Sequence, residues 1–126
     1  MNIYHITSRG AWIEATRAGR YQADSLESEG FIHCSTAGQV IPVAQQFYRG
    51  QTGLVLLVID TQKLESPVRW EQSAPPPGID KVAAFPHVYG PINLSAITAS
   101  LDFEPDAAGE FKLPSLPEDR QVEPHA

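Results

Sequence analysis

Glu29-Gly30-Phe31-Ile32-His33-Cys34-Ser35-Thr36 packs a turn glycine, a short strand and a helix start into a single stretch. Side chains alternate along a strand, which puts Phe31, His33 and Ser35 on one face and Ile32 and Cys34 on the other. Ser35 or Thr36 then caps a helix whose apolar stripe is Val40, Ala44 and Phe47, with Val43 and Tyr48 alongside. Pro42 is tolerated because it lies near the first turn, and Gly50 and Gly53 end the helix. A strand that runs into a helix cap, carrying a histidine and hydroxyls, is a natural place for a site. Two further strands bear histidines, Ile3-Tyr4-His5-Ile6-Thr7 and Phe85-Pro86-His87-Val88-Tyr89-Gly90, so the pattern predicts a pocket built from three strands.

Working outward, residues 2–7 read as a strand with Ile3 and His5 on one face and Tyr4 and Ile6 on the other. Ser8 caps a short amphipathic helix over 9–18, stopped by Gly19. Tyr21 to Glu29 reads as a polar connection. Leu54 to Asp60 is a continuous aliphatic run, too short for a buried helix and rich in Val and Ile, which predicts a central strand covered on both faces. Val68 to Gln72 is another strand, with Arg69 and Glu71 sharing a face and Trp70 opposite. Ser73 to Gly78, with three successive prolines, is a loop. Lys81 to Tyr89 resumes extended structure, and Leu94 to Phe103 supplies the last strand. Trp12, Trp70, Phe47 and Tyr48 are assigned to the core. Two short helices interleave with strands without a regular βαβ rhythm and without a glycine-rich phosphate loop, which predicts an α+β fold.

A chain of 126 residues suits one domain with a single core. The formal charge of −6 is unevenly spread: residues 102–126 carry −5 and the body only −1. A domain over 1–103 followed by an acidic, proline-rich tail over 104–126, mobile or loosely packed, is therefore expected. The nearly neutral body lacks the clustered Lys and Arg that nucleic-acid backbones require. The longest apolar run is too short for a membrane span and the N-terminus does not read as a signal peptide, so the cytoplasm is the expected location. The single cysteine excludes an internal disulfide and a multi-cysteine zinc site.

Histidine is the side chain best suited to proton transfer near neutral pH, and its ring nitrogens can also orient a ribose or phosphate oxygen. His5, His33 and His87 are the candidates, each weighed against a hydrogen-bonded core histidine. Glu71, beside Trp70, either serves chemistry or pairs with Arg69 on a solvated face. Cys34 reads as a buried small residue, because His33 points to the other face of the strand. A site for zinc or iron from the three histidines and a carboxylate is the weaker alternative, since no two of these residues show a metal-motif spacing. Ser35 reads first as a helix cap that could border an anion site.

Several motifs in order resemble one family. They are Ile-Tyr-His-Ile near the start, Ser25-Leu26 followed by Glu29 to Ser35, Gln39-Val40, Ala44, Phe47-Tyr48, the Leu54 to Asp60 strand, Glu71 and Phe-Pro-His-Val-Tyr-Gly-Pro. Over residues 1 to about 103 the chain resembles the small bacterial family called domain of unknown function 952. The family is similar in fold to the ADP-ribosyltransferase superfamily, which implies split sheets, two short helices and a cleft between the sheets that takes NAD. The resemblance implies that His5 holds the nicotinamide ribose and that Glu71 or His87 meets the reacting ribose. Tyr89 would stack on a ring, and His33 and Ser35 would line the same cleft. The activity implied is an ADP-ribosyl or phosphoribosyl transferase or hydrolase acting on a small-molecule nucleotide. An inert ligand-binding or interaction module and a histidine-carboxylate metal enzyme are the alternatives.

Overall fold

The computed structural model describes residues 1–72 and 84–118. The aliphatic run over Leu54–Asp60 forms β4, flanked on both sides by antiparallel partners, β1 (Asn2–Ser8) and β8 (Ile97–Phe103). Leu54 through Ile59 are all buried, as expected for a strand covered on both faces. Ile3, Val55, Leu57 and Ile59 face one apolar cluster, and Tyr4, Ile6, Leu54, Leu56 and Val58 face a second. The alternating faces read for β1 and the two covered faces read for β4 therefore stand. The expected last strand begins later than predicted, because Leu94–Ala96 winds into a 3₁₀ turn before β8 starts.

Ser8 caps α1 (Arg9–Ala18), its hydroxyl accepting from the Ala11 N–H, and Gly19 ends the helix at φ 87°. The stretch expected to be a polar connection holds two elements. Arg20–Tyr21 is β2, which pairs with β7 (Ile92–Asn93), and Asp24–Ser28 is a short helix, α2. Where two helices are expected, the described residues hold three α-helices. Tyr21 buries its ring and Leu26 packs against the core, two apolar anchors too sparse to show as a periodicity.

The second three-stranded sheet runs in the order β3-β6-β5, with β3 at Ile32–His33, β6 at Ala84–Val88 and β5 at Val68–Gln72. The Ser73 to Gly78 loop and the first residues of the Lys81 to Tyr89 strand lie outside the described residues. Trp70 is 45% exposed rather than core. It shares a face with Val68, which does pack on the core, but lies one step further along an edge strand. After β3, Thr36 caps α3 (Ala37–Phe47) in a reciprocal box with Gln39. Val40 and Ala44 are buried as predicted, whereas Phe47 is 63% exposed. The helix ends at that residue, and Tyr48 packs on the core in its place.

Residues 104–118 form no regular element and are anchored at one aromatic side chain. Phe111 is buried and stacks on Phe103 with centroids 4.7 Å apart, and its N–H donates to Gln45 Oε1. The architecture is α+β, with antiparallel sheets and few helices. No helix among the described residues is long and apolar enough to cross a membrane.

Candidate functional site

The two larger sheets are joined by a backbone bridge of one residue from each side. Tyr4 and Ser35 exchange both backbone hydrogen bonds at 2.8 Å, which ties the free edge of β1 to the end of the β3 segment. Ser35 is therefore buried at the junction, and Thr36 rather than Ser35 is the helix cap. Beyond this bridge the sheets part, and a cleft of about 800 Å³ opens along β1, between Tyr21 to Ser25 on one side and the end of α3 on the other. His5, His33, Ser35 and His87 all line it, so four of the predicted site residues converge. Glu71 and Tyr89 are not among the described lining residues. They stand behind His87.

His5 is buried and bonded at both ring nitrogens. Nδ1 lies 2.5 Å from the His33 carbonyl and Nε2 lies 2.7 Å from the Tyr21 hydroxyl. Burial, only partly offset by the backbone hydrogen bond, pushes its pKa down to about 4, so the ring is neutral at pH 7. A carbonyl can only accept, hence Nδ1 carries the proton and Nε2 is the bare acceptor. The Tyr21 hydroxyl then donates to Nε2, and the Thr7 hydroxyl, 2.9 Å away, supplies the bond to the Tyr21 oxygen. Burial also raises the Tyr21 pKa to about 12, which keeps the phenol protonated as this chain requires. A ligand therefore meets His5 only by displacing Tyr21 or through its hydroxyl.

His87 is built differently. Its Nδ1 lies 2.7 Å from Glu71 Oε1, which also accepts from the Tyr89 hydroxyl at 2.7 Å. Hydrogen bonds from His87 and then Tyr89 hold the Glu71 carboxyl below its usual pKa, and the same carboxylate raises that of Tyr89. With Nδ1–H donated to a carboxylate, Nε2 is the acceptor of neutral His87. That nitrogen is buried and has no hydrogen-bond partner among the described residues. Phe31 stacks on the His87 ring at 4.1 Å, and the His33 ring meets it edge-on at 5.4 Å. The Arg69 guanidinium lies 4.8 Å over the Tyr89 ring, while Glu71 bonds both His87 and Tyr89.

His33 reaches solvent, its side chain 52% exposed and its Nε2 3.1 Å from Glu29. Cys34 is buried with its thiol pKa raised by desolvation, which leaves it without thiolate character. Among the described residues no three His, Cys, Asp or Glu side chains come together as metal ligands. Tyr21, Thr7 and Phe31 belong to the site but were not singled out from the sequence. Phe31 and Thr7 carried a signal, sharing the strand faces of His33 and His5.

The profile of DUF952, described as a protein of unknown function, matches residues 6–100. The chain belongs to this family. Its fold is similar to that of protein CC0527 from Caulobacter crescentus. The crystal structure of CC0527 shares 36% sequence identity at a TM-score of 0.77, covering 90% of this chain and 95% of that one. The solution NMR structure of CC0527 shares 35% identity at a TM-score of 0.71, covering 86% of this chain and 90% of that one. No match was found among curated proteins.

Proposed function

We propose that this DUF952 protein is a cytoplasmic domain of ADP-ribosyltransferase-like fold that binds NAD or a related nucleotide, with the nucleoside portion in the cleft. His87 is its proton-handling group. The observation that carries this reading is the Glu71–His87 pair: a carboxylate fixes the tautomer from behind, and the opposite ring nitrogen is a buried acceptor without a partner. A native fold satisfies nearly all such groups, so an exception beside a cleft supports a role for this nitrogen toward a ligand.

The nicotinamide-ribose half suits the residues present. Hydrogen bonds alternate in direction along β1, so Ile6 turns its N–H and C=O to the same outer edge as Tyr4, where an amide or base edge can pair with them. Tyr21 and Thr7 offer hydroxyls to a ribose. In transfer or hydrolysis at the ribose, the oxygen of the attacking hydroxyl or water bonds to C1′ as the C1′–nicotinamide bond breaks and neutral nicotinamide leaves; His87 Nε2 accepts the attacking group's proton and Glu71 stabilises the resulting imidazolium. Phe31 and His33 pack on the ring, so the acceptor reaches Nε2 once they give way.

Titration of the full chain with NAD and its nucleoside fragments, followed by histidine NMR and thermal unfolding, tests this. A ligand at tenfold its Kd adds about 1.4 kcal/mol of stability, and the His87 resonances move. Unmoved histidines and an unchanged Tm at millimolar ligand would overturn the reading. They would favour an inert module instead, which the fully bonded state of His5 already suits.

A further inference from the structure

We infer that the cleft selects by charge: it takes a nucleoside without phosphate in preference to the phosphorylated form, and Asp24 at its mouth favours a ring bearing a positive charge. This rests on the nucleoside-binding reading above and narrows its ligand class.

Among the described residues that line the cleft, Asp24, exposed in the first turn of α2, is the one side chain other than histidine that can carry a charge. Three arginines adjoin lining residues in sequence, and each is directed elsewhere. Arg9 binds Asp102 at 3.0 Å and Glu104 at 3.6 Å, and Arg49 binds Glu110 at 3.2 Å. Alternation along β2 turns Arg20 to the face opposite the buried Tyr21. His5 stays neutral and adds no positive charge. Two more carboxylates stand one layer back, Glu29 on His33 and Glu71 on His87.

A phosphate monoester carries close to two negative charges near pH 7. In this cleft it would lose water and face carboxylates without an Arg or Lys partner among the described lining residues, a costly exchange. A cationic ring meets the opposite situation. Tyr4, Tyr48, Phe47 and Phe85 supply aromatic faces, and Asp24 supplies the countercharge. In NAD itself, the diphosphate would have to extend past the mouth.

Binding of nicotinamide riboside, nicotinamide mononucleotide and adenosine to the full chain, measured by calorimetry at low ionic strength, decides the matter. The expected order places the cationic riboside at least tenfold tighter than the mononucleotide. Asp24→Asn, at an exposed position, should weaken the riboside about threefold and leave neutral adenosine unchanged. A mononucleotide that binds as tightly as the riboside, or an Asp24→Asn variant that treats both nucleosides as wild type does, overturns charge selection while the nucleoside reading survives. Absence of binding by all three overturns both.

Discussion

His5 and His87 line one cleft from strands of different sheets, and their surroundings divide the uses of a histidine. His5 ends a closed chain running from Thr7 through Tyr21 to the His33 carbonyl, with both nitrogens satisfied by the protein. His87 is fixed at one nitrogen by Glu71 and left open at the other. A fully satisfied buried polar network rigidifies a fold, whereas a half-satisfied one costs stability and is retained where a ligand completes it. The first histidine therefore ties the two sheets together across the cleft, and the second keeps one ring nitrogen unbonded among the described residues, as the proposed function requires.

Breaking the closed chain should have the largest effect. His5→Leu strands the His33 carbonyl and takes the acceptor from the Tyr21 hydroxyl, and unsatisfied buried groups cost roughly 1–3 kcal/mol each, so a loss of about 3 kcal/mol is expected. Thermal unfolding should fall by roughly 10 °C. The pH dependence carries the same signature. The folded pKa of about 4 lies below the ordinary 6.5, so the unfolded chain binds the extra proton first. Stability is then full above pH 6.5 and falls by about 3 kcal/mol as the pH drops toward 4. Glu71, whose pKa is also depressed, adds its own loss at still lower pH. Urea unfolding across pH 4–7 should show this slope in the wild type and its flattening in His5→Leu. Equal slopes in the two proteins would remove His5 from the account.

His87→Leu should do the opposite to the two properties. It removes an unpartnered buried nitrogen along with the bond to Glu71, which is 37% exposed at its side chain and can be rehydrated. Stability should stay within about 1 kcal/mol of wild type while the response to nucleoside ligands is lost. A large destabilisation with ligand binding retained would reverse the assignment of the two histidines. Glu71→Gln probes the same pair more gently. The neutral amide no longer disfavours the phenolate of Tyr89, so the Tyr89 pKa should fall from its raised value back toward 10.0, read by absorbance titration. The His87 Nδ1 proton should move upfield in parallel, as its bond loses the charge on the acceptor.

The division between these histidines was only partly legible in the sequence. Period-2 alternation placed His5 beside Ile3 and Glu71 beside Arg69, and the Leu54 to Asp60 run announced the central strand, whereas the meeting of Glu71 with His87 and Tyr89 follows from the pairing of β5 with β6. What completes His5 is Tyr21, an isolated aromatic in a polar stretch whose burial depends on pairing with Ile92, seventy-odd residues away. Local pattern carries no trace of such a contact. Phe47 and Trp70 were misplaced for a related reason. Each continues an apolar stripe that is real, but the element ends or runs past the core's edge just there, and the end of an element is set by tertiary packing. The tail reads as polar by composition, yet Phe111 finds Phe103 and fixes the segment against the end of α3.

His33 separates backbone from side chain in this comparison and should give the smallest effect of all. His5 uses only the His33 carbonyl, which any residue on β3 supplies, while the imidazole sits half in solvent beside Glu29. An exposed pair of this kind contributes about 0–1 kcal/mol. His33→Gln should therefore change stability by about 0.5 kcal/mol or less and leave the His5-dependent slope between pH 4 and 6.5 intact. A change in ligand affinity without a change in stability would assign the imidazole to the cleft wall above His87, where its ring already meets the His87 ring edge-on. A loss as large as that of His5→Leu would mean that the side chain, not the carbonyl, holds the junction of the sheets.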